Sequence, residues 1–243
     1  MARIVTSASL RAPLNDAIRL IGGTLRPAQF DPATDRRVFK IAAPDYETVL
    51  FAPLLAAIAA PNLQFLFLPL IRRQAIEALL SAEIDLALGY TWDRSGGRDA
   101  VTLYDEDFLV ARRHGHPAFG RANRRLTLDR YGSCDHVLVS PGGTLSGIID
   151  RSLAASGRRR RVAIAVPYFL AALAITARTD LIATVPRRIA LAHAEAFGLV
   201  TVKPPLALRS FAVRMIWNKR SVSDPAITWL RAQISTASQQ LPV

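Results

Sequence analysis

Asp180-Leu181-Ile182-Ala183-Thr184-Val185-Pro186-Arg187 is a short apolar run, Leu181–Val185, that stops at a turn and hands over to a segment of helix length. Four other stretches have the same form. Val38–Ala43 stops at Pro44-Asp45, Ile84–Leu88 at Gly89-Tyr90, His136–Val139 at Ser140-Pro141-Gly142-Gly143, and Val162–Val166 at Pro167-Tyr168. Short apolar runs alternating with helix-length segments are the pattern of parallel strands buried under helices. The fold class is therefore α/β. In an open sheet of this kind, ligands bind beyond the carboxyl ends of the strands, so the five turns are the first place to seek a site.

Composition narrows the function classes. The 243-residue chain is long enough for two small α/β domains. A single cysteine, Cys134, excludes an internal disulfide and fits a reducing compartment. The first thirty residues carry Arg3, Arg11, Asn15, Asp16 and Arg19, which interrupt any signal-peptide core. The longest apolar run, 49–60, is too short to cross a bilayer and contains Pro53. A cytoplasmic protein without membrane contact is expected. The net charge of +12 comes almost wholly from dispersed arginine, since only Lys40, Lys203 and Lys219 are lysine. The one dense cluster, Arg158–Arg161, reads as a solvated loop, and no recognition helix or aromatic–basic interleaving points to direct nucleic-acid binding.

Along the chain, Leu10, Leu14, Ile18, Ile21 and Leu25 predict an exposed helix over 9–25 with a coiled-coil seam, ended by Pro27. Asp45 is read as the cap of a helix running to about Ala60 and kinked at Pro53, with Glu47 facing solvent. Leu63–Leu68 is a strand, 73–82 a short helix, and Phe108–Ala111 a strand that crosses to a second unit. That unit has helices over 145–156, 168–178 and 187–197, and a strand over 199–202. Ser210–Trp217 returns as an extended segment. Asp224-Pro225 opens a last helix that buries Ile227, Leu230 and Ile234. The simplest arrangement is two Rossmann-like lobes around a cleft: a leading helix and loop over 1–36, a first lobe of 37–111 with 211–243, and a second lobe of 112–210.

If the lobes face each other, their turns line the cleft. Helix N-termini in those turns present free N–H groups and favour an anion, most simply the carboxylate of a small ligand. Ser140 and Thr144 add hydroxyls, and Gly142 allows close backbone approach. Tyr46, Tyr90, Tyr168 and Phe169 supply flat surface suited to an aromatic molecule. Catalytic motifs are weak. Ser140 lacks the glycine two residues earlier that a nucleophile elbow needs, and Gly142–Gly147 has neither dinucleotide nor phosphate-loop spacing. His114, His116 and Asp105–Asp107 form a poor metal set, His193 is a surface or packing residue, and Cys134 has no activating partner. No cofactor, metal or enzymatic activity is expected.

Taken in order, Phe30-Asp31-Pro32-Ala33, Arg37–Ala42, Ile84–Gly89, Leu103–Arg112, His116-Pro117, His136–Gly143 and Asp180–Pro186 resemble the effector-binding half of LysR-type transcriptional regulators. Pro44-Asp45-Tyr46 and His136–Ser140 are most similar to members that sense aromatic inducers. The resemblance implies a type-2 periplasmic-binding-protein fold, an effector in the interlobe cleft, and a homodimer or tetramer joined in part through a linker helix at 9–25. It places effector contacts at Pro44, Asp45, Tyr46, Gly89, Tyr90, Ser140, Pro167, Tyr168, Phe169 and Thr184. The family contacts DNA through a winged helix-turn-helix that would precede this sequence, so the chain as it stands is expected not to bind an operator specifically. A solute-binding protein of a transport system is the alternative on the same fold.

Overall fold

The computed structural model describes residues 29–69, 72–90, 98–119 and 126–242. The leading helix expected over 9–25 lies outside them. Strand β1 (Arg37–Ala43) begins with outward Val38 and inward Phe39, then buries Ala42 and Ala43 together as helices cover both faces. It pairs in parallel with β2 (Leu63–Pro69) and with β3 (Leu86–Tyr90). A further strand, β4 (Arg98–Glu106), ends the sheet, and β10 (Phe211–Asn218) inserts antiparallel between β3 and β4. The order is β2-β1-β3-β10-β4.

The second sheet repeats the plan. Strand β6 (Asp135–Val139) pairs in parallel with β7 (Arg161–Val166) and β8 (Leu181–Pro186). Strand β5 (Phe108–Arg113) inserts antiparallel between β8 and β9 (Leu199–Val202), giving β7-β6-β8-β5-β9. Each lobe thus has the three parallel strands read from the apolar runs plus an antiparallel strand supplied by the crossing chain.

Two readings change. Strand β4 was not anticipated, and the first crossing falls at Asp107 rather than residue 111. The reason is pairing: Phe108 through Ala111 lie opposite Pro186 through Ala183 of the second sheet, while Glu106 lies opposite Phe211 of the first.

The helices are α1 (Asp45–Ala57), α2 (Arg72–Leu80), α3 (Leu128–Ser133), α4 (Ile148–Ala154), α5 (Phe169–Arg178), α6 (Arg187–His193) and α7 (Pro225–Gln239). Helix α7 starts as its sequence requires. The Asp224 carboxylate accepts from the Ala226 and Ile227 N–H groups, and Pro225 takes the first position, where no donor is needed. Its buried Ile227, Leu230 and Ile234 return the chain to the first lobe against α1. Phe30 closes the loop before β1 by packing on Phe39 and Trp229. One apolar cluster runs from Phe39, Leu50 and Phe51 in the first lobe to Leu173, Val185 and Ile189 in the second, so the lobes share a core across their junction.

Candidate functional site

Asp45 departs most from its sequence reading. It does not cap its own helix: Pro44 holds that position, with no side-chain cap. The Asp45 carboxylate instead reaches into the other lobe and accepts from the Leu170 N–H at 3.0 Å. Helix α5 has no side-chain cap from its own Tyr168, so a residue of the first lobe satisfies one of the open donors at its start. Burial raises the Asp45 pKa, opposed in part by the Leu170 and Phe169 N–H groups. Beside it the Tyr46 ring meets Phe169 edge-on at 5.9 Å.

Glu47 also reverses its reading. It is fully buried, and neither carboxylate oxygen has a hydrogen-bond partner. Burial above all, with the nearby charges of Asp45 and Glu106, pushes its pKa up to about 8. Glu106, at the end of β4, is equally buried. It accepts a short hydrogen bond from the Tyr46 hydroxyl, and Arg188 of α6 stands 3.3 Å away. The Arg188 guanidinium covers the Tyr104 ring at 4.3 Å and donates to the Asp105 carbonyl. Burial raises the Tyr46 and Tyr104 phenols, which keeps both protonated; the Tyr46 hydroxyl donates to Glu106, while the Tyr104 hydroxyl has no partner among the described residues. The lobes therefore meet through three carboxyl groups, two phenols and one guanidinium, contributed by α1, β4 and α6.

In the second lobe, the turn after β6 is self-contained. The Ser140 hydroxyl accepts from the Thr144 N–H at 2.9 Å and lies 3.1 Å from the Thr144 hydroxyl, which donates to the Ser146 carbonyl. Gly143 adopts φ +70°, which a glycine takes without strain. The Thr184 hydroxyl bonds the Tyr131 hydroxyl at 2.7 Å, at one end of a buried network. Arg160 lies at the centre of that network. It grips both Asp150 oxygens at 2.8 and 3.0 Å and reaches the Tyr131 hydroxyl and His136 Nδ1 at 3.4 and 3.3 Å. Burial first, then the Arg160 charge, lowers His136 to about 4, so the ring is neutral. The solvated-loop reading of Arg158–Arg161 is corrected: the Arg160 side chain is buried, while Arg158 and Arg161 pair with Asp129 and Asp135.

Of the residues expected to line a cleft, Asp45, Tyr46 and Phe169 meet across the lobes, with Pro44 and Tyr168 beside them in the chain. Pro167 and Tyr168 are exposed. Ser140 joins the same rim, because its N–H donates to the Val166 carbonyl at the end of β7. Gly89 is buried with φ 146°, and exposed Tyr90 leans on Phe211 at 5.5 Å, near the crossing strands. Gly142 and Thr144 are exposed on their own turn, and the Thr184 hydroxyl is taken by Tyr131. Sequence reasoning missed Tyr104, Glu106 and Arg188. Tyr104 and Glu106 lie on a strand whose alternation is broken and Arg188 on a short helix, so no local pattern marks them. The acidic triplet Asp105–Asp107 and the His114–His116 pair stand at opposite ends of β5, and among the described residues no group of His, Cys, Asp or Glu could hold a metal ion. Burial raises the Cys134 thiol pKa, which keeps it unreactive.

A model of the LysR substrate binding domain matches residues 32–239. The chain belongs to the LysR-type transcriptional regulators. Among LysR-type relatives, the HTH-type transcriptional activator NahR of Pseudomonas putida is 32% identical over 229 residues, which cover 93% of this chain and 75% of that protein. The HTH-type transcriptional activator NagR of a Ralstonia species is 33% identical, over 83% of this chain and 67% of its own. The regulatory domain of MexT, a transcriptional activator in Pseudomonas aeruginosa, has a TM-score of 0.72 and 35% identity, covering 84% of this chain and 100% of that one. The two-lobed arrangement is the type-2 periplasmic-binding-protein-like fold of this LysR domain. The relatives are HTH-type regulators of transcription rather than enzymes, and nothing in them supports the transport alternative. Among the described residues, no helix is long and apolar enough to cross a membrane.

Proposed function

We propose that this LysR-type chain holds a small planar effector between its lobes and reports its presence as a change in the angle between them. The observation that carries this reading is the direct contact between lobes at the carboxyl ends of β1 and β7, where Asp45 bonds Leu170 and Tyr46 meets Phe169. Strand ends that face each other in this way are where α/β sheets take ligands. The exposed Tyr168 ring, with Ser140 beside it, offers the flat and polar surface such a ligand needs. Tyr90 and Gly89 form the far edge, by the crossing.

An effector that touches both lobes binds one lobe arrangement more tightly than the other and shifts the population toward it. In a cytoplasmic homodimer or tetramer, that shift repositions the DNA-binding parts of the regulator. A thermal-shift screen against small aromatic molecules tests the reading. A ligand at a hundred times its Kd adds about 2.7 kcal/mol of stability. Tyr168→Ala and Ser140→Ala are each expected to raise Kd by about tenfold or more while leaving the unliganded melting temperature within a few degrees. Unchanged affinity in both variants would remove the cleft from consideration.

A further inference from the structure

Helix α5 faces the first lobe with its N-terminus, the place where an effector carboxylate would be expected. That place is filled by the chain's own Asp45, 3.0 Å from the Leu170 N–H. Behind Asp45 stand Glu47 and Glu106, both fully buried. The guanidinium in contact with them, Arg188, is already engaged with Glu106, the Asp105 carbonyl and the Tyr104 ring, and its neighbour Arg187, which feels the Glu106 charge, is paired with Asp107. Neither oxygen of Glu47 receives a hydrogen bond.

From this arrangement, and resting on the interlobe effector reading above, we infer that the cleft selects against anionic effectors: Asp45 acts as a built-in occupant of the anion position, and the effector is an uncharged planar molecule carrying hydrogen-bond donors.

The argument is electrostatic. A carboxylate entering beside Asp45 would meet a like charge in a poorly solvated place, where Coulomb repulsion is several times stronger than in water. It would also have to displace Asp45 to reach the free N–H groups. Glu47 shows how poorly this wall solvates a charge. With a pKa near 8, it is held as the neutral acid at pH 7. Burial is the main cause of that shift, and a second carboxylate drawn into the same wall would bear a similar desolvation cost. An uncharged ligand escapes the repulsion, and a donor on it can bond the Asp45 carboxylate, of which Oδ2 already accepts from Leu170. The charge of Asp45, rather than the shape of the cleft, then decides which of two equally flat ligands is taken.

Benzamide and benzoate are matched in shape and differ in charge, and isothermal titration of both at pH 7.5 makes the test. The wild-type chain is expected to bind benzamide at least tenfold more tightly than benzoate. Asp45→Ala, which vacates the α5 N-terminus, is expected to tighten benzoate binding at least tenfold over the wild type. Asp45→Asn, which keeps the acceptor but removes the charge, should fall between them, and it serves if the alanine variant does not fold. Benzoate bound by the wild type as well as benzamide, or no gain of benzoate affinity in either variant, overturns the inference. Failure of the interlobe reading is recognised separately, as benzamide affinity that does not respond to Tyr168→Ala.

Discussion

The molecule contains two buried polar clusters of similar size and opposite quality. In the second lobe, Arg160, Asp150, His136, Tyr131 and Thr184 lie within one lobe, and each has partners for its polar groups. At the junction, Glu47, Tyr46, Tyr104, Glu106 and Arg188 come from both lobes, and both Glu47 oxygens, the Tyr104 hydroxyl and Arg188 Nε are left without hydrogen-bond partners among the described residues. A satisfied network is rigid, and it costs heavily to break. An under-satisfied one is destabilising as it stands, so its members gain by rearranging. The LysR-type chain places the first inside a lobe and the second where the two lobes meet, the place at which the proposed function requires them to move.

The sharpest way to break this comparison is Arg160→Met. It removes the partner of a half-buried carboxylate and is expected to cost about 3–5 kcal/mol in denaturant unfolding. A loss below about 1 kcal/mol would show that the network is not the fixed part of the lobe. The next effect has the opposite sign. Glu47 has a pKa raised from 4.5 to about 8 by burial, so the folded protein keeps a proton that the unfolded chain gives up. Its favourable contribution is complete below about pH 4.5 and drains away as pH rises toward 8.

Glu47→Gln is therefore expected to stabilise the protein by a few kcal/mol at pH 8, on the order of 1.4 per pKa unit, and to leave it unchanged at pH 4. Melting temperatures across that range decide it. His136, lowered from 6.5 to about 4, supplies a contribution that is lost as pH falls through that interval, and this acid arm should persist in the Glu47 variant. Destabilisation by Glu47→Gln at pH 8 would mean the junction is as well satisfied as the lobe. The smallest effect sharpens the contrast from outside. Arg161 pairs with Asp135 at 2.5 Å, but its side chain is 70% exposed. Arg161→Ala should shift stability by no more than about 0.5 kcal/mol, although it neighbours Arg160 in the sequence.

The two clusters also differ in how legible they were. The parallel strands and the start of α7 could be read directly, because apolar runs, turns and the Asp224-Pro225 pair are local signals. The opposition of Pro44–Tyr46 to Pro167–Phe169 followed from the two-lobe reading. Strand β4 escaped because Arg98–Glu106 is an edge strand with polar residues at intervals and a register shift opposite Val213/Arg214, so its alternation is broken. Asp45 was misread because a capping aspartate looks the same whether the N–H groups it serves are in its own helix or in one 125 residues further on. Glu47 was assigned to solvent on its charge alone. Only the folded packing around α1 shows that it has none.

The lobes are joined by two unequal threads. At the first, Asp107 alone separates β4 from β5, and its carboxylate is held by both arms of Arg187, 2.6 Å each, while its carbonyl accepts the Arg187 N–H. The second, between Val202 and Phe211, is longer and contains Pro204 and Pro205. The one-residue strap is pinned by Arg187, while the longer one is fastened along its length by Leu206 and Leu208, which pack on the core of the second lobe. If an effector enters between the lobes as proposed, the point about which they are expected to turn is the strap at Asp107, where the chain has least freedom to stretch.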